Sequence, residues 1–132
     1  MDNAILKGKK VLIVDDSQLM RGKIRRFVTA AGMEVAAEAE TGLDAITKYR
    51  DHNPDIVTMD IVMPDMDGIK ALNLILKIDP EAKVIMISSA LTKERVLEAI
   101  RLGAKNFVVK PFKDQAFLEV IASVCKGKAP QI

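Results

Sequence analysis

The chain has 132 residues, a length that fits one compact domain. Hydrophobic residues make up 49% of it, enough for a core without a structural metal, and the single cysteine, Cys125, excludes an intrachain disulfide and predicts a cytoplasmic protein. A net charge of +2, from 20 basic and 18 acidic residues, gives no reason to expect direct nucleic-acid binding, and the sequence carries neither a signal peptide nor an apolar run of the ~20 residues that span a bilayer.

Residues 11–14 (VLIV) form the first of five short apolar runs and predict a strand. Met20, Ile24, Phe27, Val28 and Ala31 then repeat at helical spacing, with Gly32 as the stop. Val35–Ala37 is a weaker run between Glu34 and Glu38, as an edge strand would be. Leu43, Ile46 and Tyr49 mark a second helix that ends before Pro54. Asp55–Met59 is the third strand, and Ile69, Leu72 and Ile75 mark a helix that ends at Asp79-Pro80. Val84–Ile87 is the fourth strand. Val96, Leu97 and Ile100 mark the next helix, with Thr92 as its N-cap and Gly103 as its stop. Asn106–Val109 is the fifth strand, and Phe117, Leu118, Ile121, Val124 and Cys125 mark the last helix. The tail from Lys126 to Ile132 reads as a frayed end. With no repeat or internal linker, residues 1–132 are expected to form one domain with its core over about 10–125.

Strand and helix thus alternate five times. Strands this short and continuously apolar suit a parallel sheet covered on both faces, and right-handed crossovers make that a doubly wound α/β domain. Such domains bind ligands beyond the carboxyl ends of their strands. There the sequence places Asp15-Asp16 after the first strand, Asp60 after the third, Ser88-Ser89 after the fourth and Lys110-Pro111 after the fifth. Alone, Asp15-Asp16 could cap a helix and Asp60 could begin a turn through Pro64 and Gly68. Four distant segments delivering carboxylates, hydroxyls and an ammonium to one rim point to something else. Carboxylates ~4 Å apart repel by about 4 kcal/mol per pair at an effective dielectric of ~20. A divalent cation relieves that repulsion, and an all-oxygen donor set suits Mg²⁺. Mg²⁺ beside a lysine and a hydroxyl makes a phosphoryl site.

The segments VLIVDDS (11–17), DIVTMDIVMPDMDG (55–68), VIMISSA (84–90) and GAKNFVVKPF (103–112) resemble response regulator receiver domains of the chemotaxis (CheY-like) type, over roughly Lys10 to Cys125. The resemblance implies a flavodoxin-like (βα)₅ three-layer sandwich around a five-stranded parallel sheet. It implies a two-component phosphoacceptor rather than an enzyme with a separate substrate. Asp60 would take a phosphoryl group from the phosphohistidine of a sensor histidine kinase or a histidine phosphotransfer protein. Asp16, Asp60 and the Val62 carbonyl would bind Mg²⁺ directly, and Asp15 through water. Lys110 would pair with Asp60 and then with the phosphoryl oxygens, and the Lys110-Pro111 bond would be cis. The family's spacing of 22 residues between switch hydroxyl and lysine selects Ser88, with Ser89 standing where alanine is usual. Phe107, three residues before the lysine, would be the switch aromatic. Val62 and Ala90 would flank the phosphoryl group, and as apolar residues they imply self-dephosphorylation that is not fast. The face of the fourth helix, fifth strand and fifth helix would carry the signal to a protein target, from a monomer that neither enters a membrane nor binds nucleic acid.

Rival readings fit less well. A haloacid-dehalogenase-type phosphatase needs a second acid two residues after its aspartate, where Val62 stands. A flavodoxin needs a phosphate loop where Asp15-Asp16 would repel phosphate. A degenerate, protein-binding receiver and a domain cut from a longer regulator are the remaining alternatives. His52 is expected to be exposed, and Met59, Met63, Met66 and Met86 to fill gaps. Cys125 falls on the last helix's apolar stripe. Arg21, Lys23, Arg25 and Arg26 read as a solvated helix face.

Overall fold

The computed structural model describes residues 4–89 and 93–130, and no helix among them is long and apolar enough to cross a membrane. The elements are β1 (Lys10–Val14), α1 (Gln18–Ala30), β2 (Glu34–Ala39), α2 (Gly42–His52), β3 (Ile56–Asp60), α3 (Gly68–Ile78), β4 (Val84–Ser88), α4 (Lys93–Leu102), β5 (Asn106–Val109) and α5 (Asp114–Cys125). All neighbouring strands pair in parallel, in the order β2-β1-β3-β4-β5. The expected α/β architecture is therefore present, with β2 on an edge. The strand order reverses between β1 and β3, where a doubly wound sheet opens its crevice.

Alternation along the strands divides the core in two. Leu12, Val14, Val57, Met59, Val84 and Met86 face one side and pack with α2, α3 and α4. Val11, Ile13, Ile56, Ile85, Ile87 and Val108 face the other and pack with α1 and α5. Strands covered on both sides have no polar face, which is why the runs look continuously apolar. Thr58 interrupts them: its hydroxyl, between Ile13 and Ile85, is the one buried side-chain polar atom among the described residues with no hydrogen-bond partner.

Helices α1, α2 and α3 start on side-chain caps, whereas α5 starts at Lys113 with none. Ser17 Oγ accepts the Met20 amide at 3.2 Å, Thr41 Oγ1 the Asp44 amide at 3.1 Å and Asp67 Oδ1 the Ile69 amide at 2.7 Å. The cap of α1 is thus Ser17, not Asp15 or Asp16. Thr92, the expected cap of α4, lies outside the described residues. The fold runs past its expected limits at both ends, in the core at one and in main-chain hydrogen bonds at the other. Leu6, in a short 3₁₀ turn (Ala4–Leu6) against α5, is fully buried. Lys126–Lys128 do not fray: Gly127 takes a left-handed conformation (φ 76°), and the Lys128 amide donates to the Ser123 carbonyl at 3.1 Å.

Candidate functional site

Period-two alternation carries straight into the site. Val11 and Ile13 lead to Asp15, and Ile56 and Thr58 lead to Asp60, so both carboxylates leave the sheet at its switch point. Asp15 is 1% exposed and Asp60 6%. Lys110 reaches them from the end of β5, and the Lys110-Pro111 bond that follows it is cis. Its Nζ lies 2.9 Å from Asp15 Oδ2 and 3.5 Å from Asp60 Oδ2. The remaining oxygens take main-chain donors, Asp15 Oδ1 from the Ser17 amide at 2.9 Å and Asp60 Oδ1 from the Val62 amide at 3.3 Å. Asp16 is exposed beside them.

One carboxylate oxygen from each of Asp15, Asp16 and Asp60 lies within 4.8 Å of the others. Oxygens held ~2.1 Å from one octahedral Mg²⁺ stand about 3 Å apart when adjacent and about 4 Å when opposite. The three acids therefore fit such an ion in donor type, with oxygens already gathered within 4.8 Å of one another. Lys110 is the cation that sits between the two buried acids.

Burial pushes the Asp60 carboxyl above its usual range; the Lys110 charge opposes this and the Asp15 charge adds to it. A carboxyl whose pKa rises on folding binds more protons folded than unfolded. Its contribution to stability is then greatest in acid and is lost as pH rises from the ordinary carboxylate range through the raised value. In EDTA, Asp60→Asn should flatten that fall and make the protein more stable than wild type at neutral pH. Urea midpoints between about pH 4 and 8 measure it, and parallel wild-type and mutant curves would contradict it.

Ser88 is buried at the end of β4 and pairs in register with Val109, whereas Ser89 is exposed. Phe107 is half-buried against the α2–α4 core and pairs with Met86. Val62 is 62% exposed, so its side chain is open to solvent beside Asp60. Ala90 lies outside the described residues. His52 is exposed; Met59, Met63 and Met86 are buried, and Met66 packs against that core.

The basic run on α1 is not simply solvated. Arg21 Nη1 donates to the Asp15 carbonyl at 2.6 Å, and its Nε lies 3.4 Å from Glu38. Arg25 also pairs with Glu38. Lys23 donates to the Phe112 carbonyl at 3.4 Å, with its Nζ 5.0 Å from the centre of the Phe112 ring. Phe112 stacks on Phe117 at 4.9 Å. Arg21 thus braces the loop carrying Asp15-Asp16, and Lys23 the loop following Lys110.

The sequence matches the response regulator receiver domain family over residues 11–122. It is 50% identical to the chemotaxis protein CheY of Thermotoga maritima, over 90% of this chain and 99% of that protein. It is equally identical to CheY of Bacillus subtilis over 85% of this chain and 93% of that one. A CheY from Borrelia burgdorferi, solved in a complex with CheX, BeF₃ and Mg²⁺, superposes with a TM-score of 0.87 at 40% identity, covering 89% of this chain and 90% of that one. With the acids at the switch point, the lysine between them and these likenesses, the chain belongs to the response regulator receiver family, as a CheY-like phosphoacceptor of two-component signalling.

Proposed function

We propose that Asp60 is the phosphoacceptor, that Asp15, Asp16, Asp60 and the Val62 carbonyl are the Mg²⁺ site, and that the modified rim switches the face of α4, β5 and α5. The observation that carries this reading is the Lys110 ammonium held between Asp15 and Asp60. Asp60 attacks phosphorus through a carboxylate oxygen. A new O–P bond forms as the P–N bond to the donor imidazole breaks, and the imidazole takes up a proton. Lys110 can follow charge from the Asp60 carboxylate onto the phosphoryl oxygens without leaving Asp15. Bound Mg²⁺ would supply charge neutralisation on those oxygens. The product places a charge of roughly −1.5 to −2 on the rim, and the Ser88 hydroxyl at the end of β4 is the switch element that responds. Phe107, on the neighbouring strand, passes that movement to the α4–β5–α5 face.

The donor is the phosphohistidine of a sensor kinase or phosphotransfer protein, and the listener a protein target. The Borrelia CheY complex makes a CheX-like protein one candidate. We place the protein in the cytoplasm as a monomer acting in chemotaxis or a related pathway. The test is incubation with Mg²⁺ and a small phosphodonor, read by intact mass. A phosphate-sized gain is expected in wild type and not in Asp60→Asn; no gain in wild type would overturn the reading.

Two outcomes follow. Ser88→Ala should uncouple phosphorylation from target binding more than Ser89→Ala does, because Ser88 is buried at the strand end and Ser89 faces solvent; a phosphodonor-dependent pull-down ranks them, and the reverse order would move the switch to Ser89. Val62→Asn should shorten the aspartyl-phosphate lifetime several-fold, since an exposed valine beside Asp60 cannot orient an attacking water and an amide can. The decay of the mass gain after donor removal checks it.

A further inference from the structure

The segment between Asp60 and α3 is held at its ends and in its middle. At its ends the Gly68 amide donates to the Ile61 carbonyl at 2.6 Å. In its middle Asp65 reaches to a different helix: Oδ1 accepts the Gly42 amide at 2.8 Å and Oδ2 the Leu43 amide at 2.9 Å. These are the first two of the amides that α2 leaves without intrahelical partners, and Thr41 Oγ1 serves the third. The next residue, Met66, lies so close over Gly42 that a Cβ there would stand 2.2 Å from Met66 Cγ. Carboxylate, methionine and glycine therefore fit as a set, across more than twenty residues of sequence. The rim itself draws on the ends of β1, β3, β4 and β5 and takes no residue from α2.

We infer that Asp65 is a positioning residue for the rim: it uses the N-terminus of α2 as the anchor that fixes residues 61–67, and with them the Val62 main chain beside Asp60. The inference rests on the reading of the Val62 carbonyl as a metal ligand. A carboxylate that only capped α2 would serve the helix alone. An anchor instead couples the first amides of α2 to the cation, and the coupling is reciprocal.

The experiment is a titration of the ¹⁵N-labelled full chain with MgCl₂, followed by amide shifts. In wild type, saturable shifts at Asp15, Asp16, Asp60 and Val62 establish the metal site, and the Gly42 and Leu43 amides are expected to move along the same isotherm. In Asp65→Ala, shifts at Gly42 and Leu43 should vanish and the Mg²⁺ Kd should rise about fivefold or more. Asp65→Asn, which keeps one acceptor oxygen, should fall between, and it carries the same test if the alanine variant does not fold. Thr41→Ala removes a cap from the same helix without touching the loop and should leave the Kd unchanged. Wild-type affinity in both Asp65 variants, or an equal loss in Thr41→Ala, would reduce Asp65 to a helix cap. Absence of saturable rim shifts in wild type would instead remove the metal reading, and the inference with it.

Discussion

Lys110→Ala is expected to destabilise the metal-free protein by about 2–3 kcal/mol, and saturating Mg²⁺ should restore much of the loss. Lys110 is only 15% exposed, and it faces Asp15 and Asp60, both nearly sealed from solvent. Removing one partner of a buried pair leaves an uncompensated charge and costs about 3–5 kcal/mol; the water that reaches this rim lowers the figure. Here two carboxylates lose their shared cation and then repel each other. A divalent ion supplies the missing charge, so the deficit should shrink with MgCl₂ in the mutant far more than in wild type. Urea midpoints with EDTA and with MgCl₂ separate the cases. Phosphorylation by a small donor should fall about 10²–10³-fold even with Mg²⁺, because a positioned charge on the transferring oxygens is gone. Lys110→Arg should not rescue it, since a planar fork does not replace a point charge set between two carboxylates. A mutant equal to wild type without metal would mean that the ammonium–carboxylate contacts contribute nothing.

Much of this rim is legible from sequence because of its fold. In a doubly wound sheet every strand ends at the same edge, so a polar residue following an apolar run is already placed. Asp15, Asp60, Ser88 and Lys110 all fall under that rule, and the alternation that sends Ile13 inward sends Asp15 to the same side. What escapes the rule is contact between elements whose order along the chain says nothing of their proximity. Lys23 meets Phe112 across 89 residues, and Asp65 meets Leu43 across 22. The α1 cations look like a solvated face because their spacing fits one; that Arg21 turns inward to the Asp15 carbonyl depends on how α1 crosses β2, where Glu38 waits. Leu6 was hidden for another reason. A three-residue turn is too short to show periodicity, and only the docking of α5 makes it core. The caps Ser17, Thr41 and Asp67 were within reach of ordinary N-cap rules, but the adjacent Asp15-Asp16 pair offered a competing start for α1.

Gly68→Ala is expected to cost about 3 kcal/mol and to slow phosphorylation of Asp60 more than tenfold. A Cβ at this position would lie 2.0 Å from the Asp60 carbonyl oxygen, 2.8 Å from Ile61 Cα and 2.9 Å from the Asp60 carbonyl carbon. All three atoms are backbone, at the strand end that carries the phosphoacceptor, so none can yield by rotating a side chain. Helix propensity favours alanine by only ~1 kcal/mol, and overpacking costs about 1–3 kcal/mol or more, so the clash decides the sign. Relief requires the β3 end and α3 to move apart, which also lengthens the 2.6 Å bond from the Gly68 amide to the Ile61 carbonyl. A shift of ~1 Å at a reacting group can cost ~10²-fold in rate, so the kinetic effect should exceed what lost stability alone explains under folding conditions. Gly22→Ala is the internal control. Around Gly22 the nearest atoms are guanidinium nitrogens of Arg25 at 3.4 Å and Arg26 at 3.7 Å, at the far ends of flexible side chains. That substitution should raise stability by about 0.5–1 kcal/mol and leave phosphorylation unchanged. Urea unfolding and the rate of phosphate gain by mass measure both variants. If Gly68→Ala unfolds and phosphorylates like wild type while Gly22→Ala behaves as expected, the close approach of α3 to Asp60 does not constrain the site.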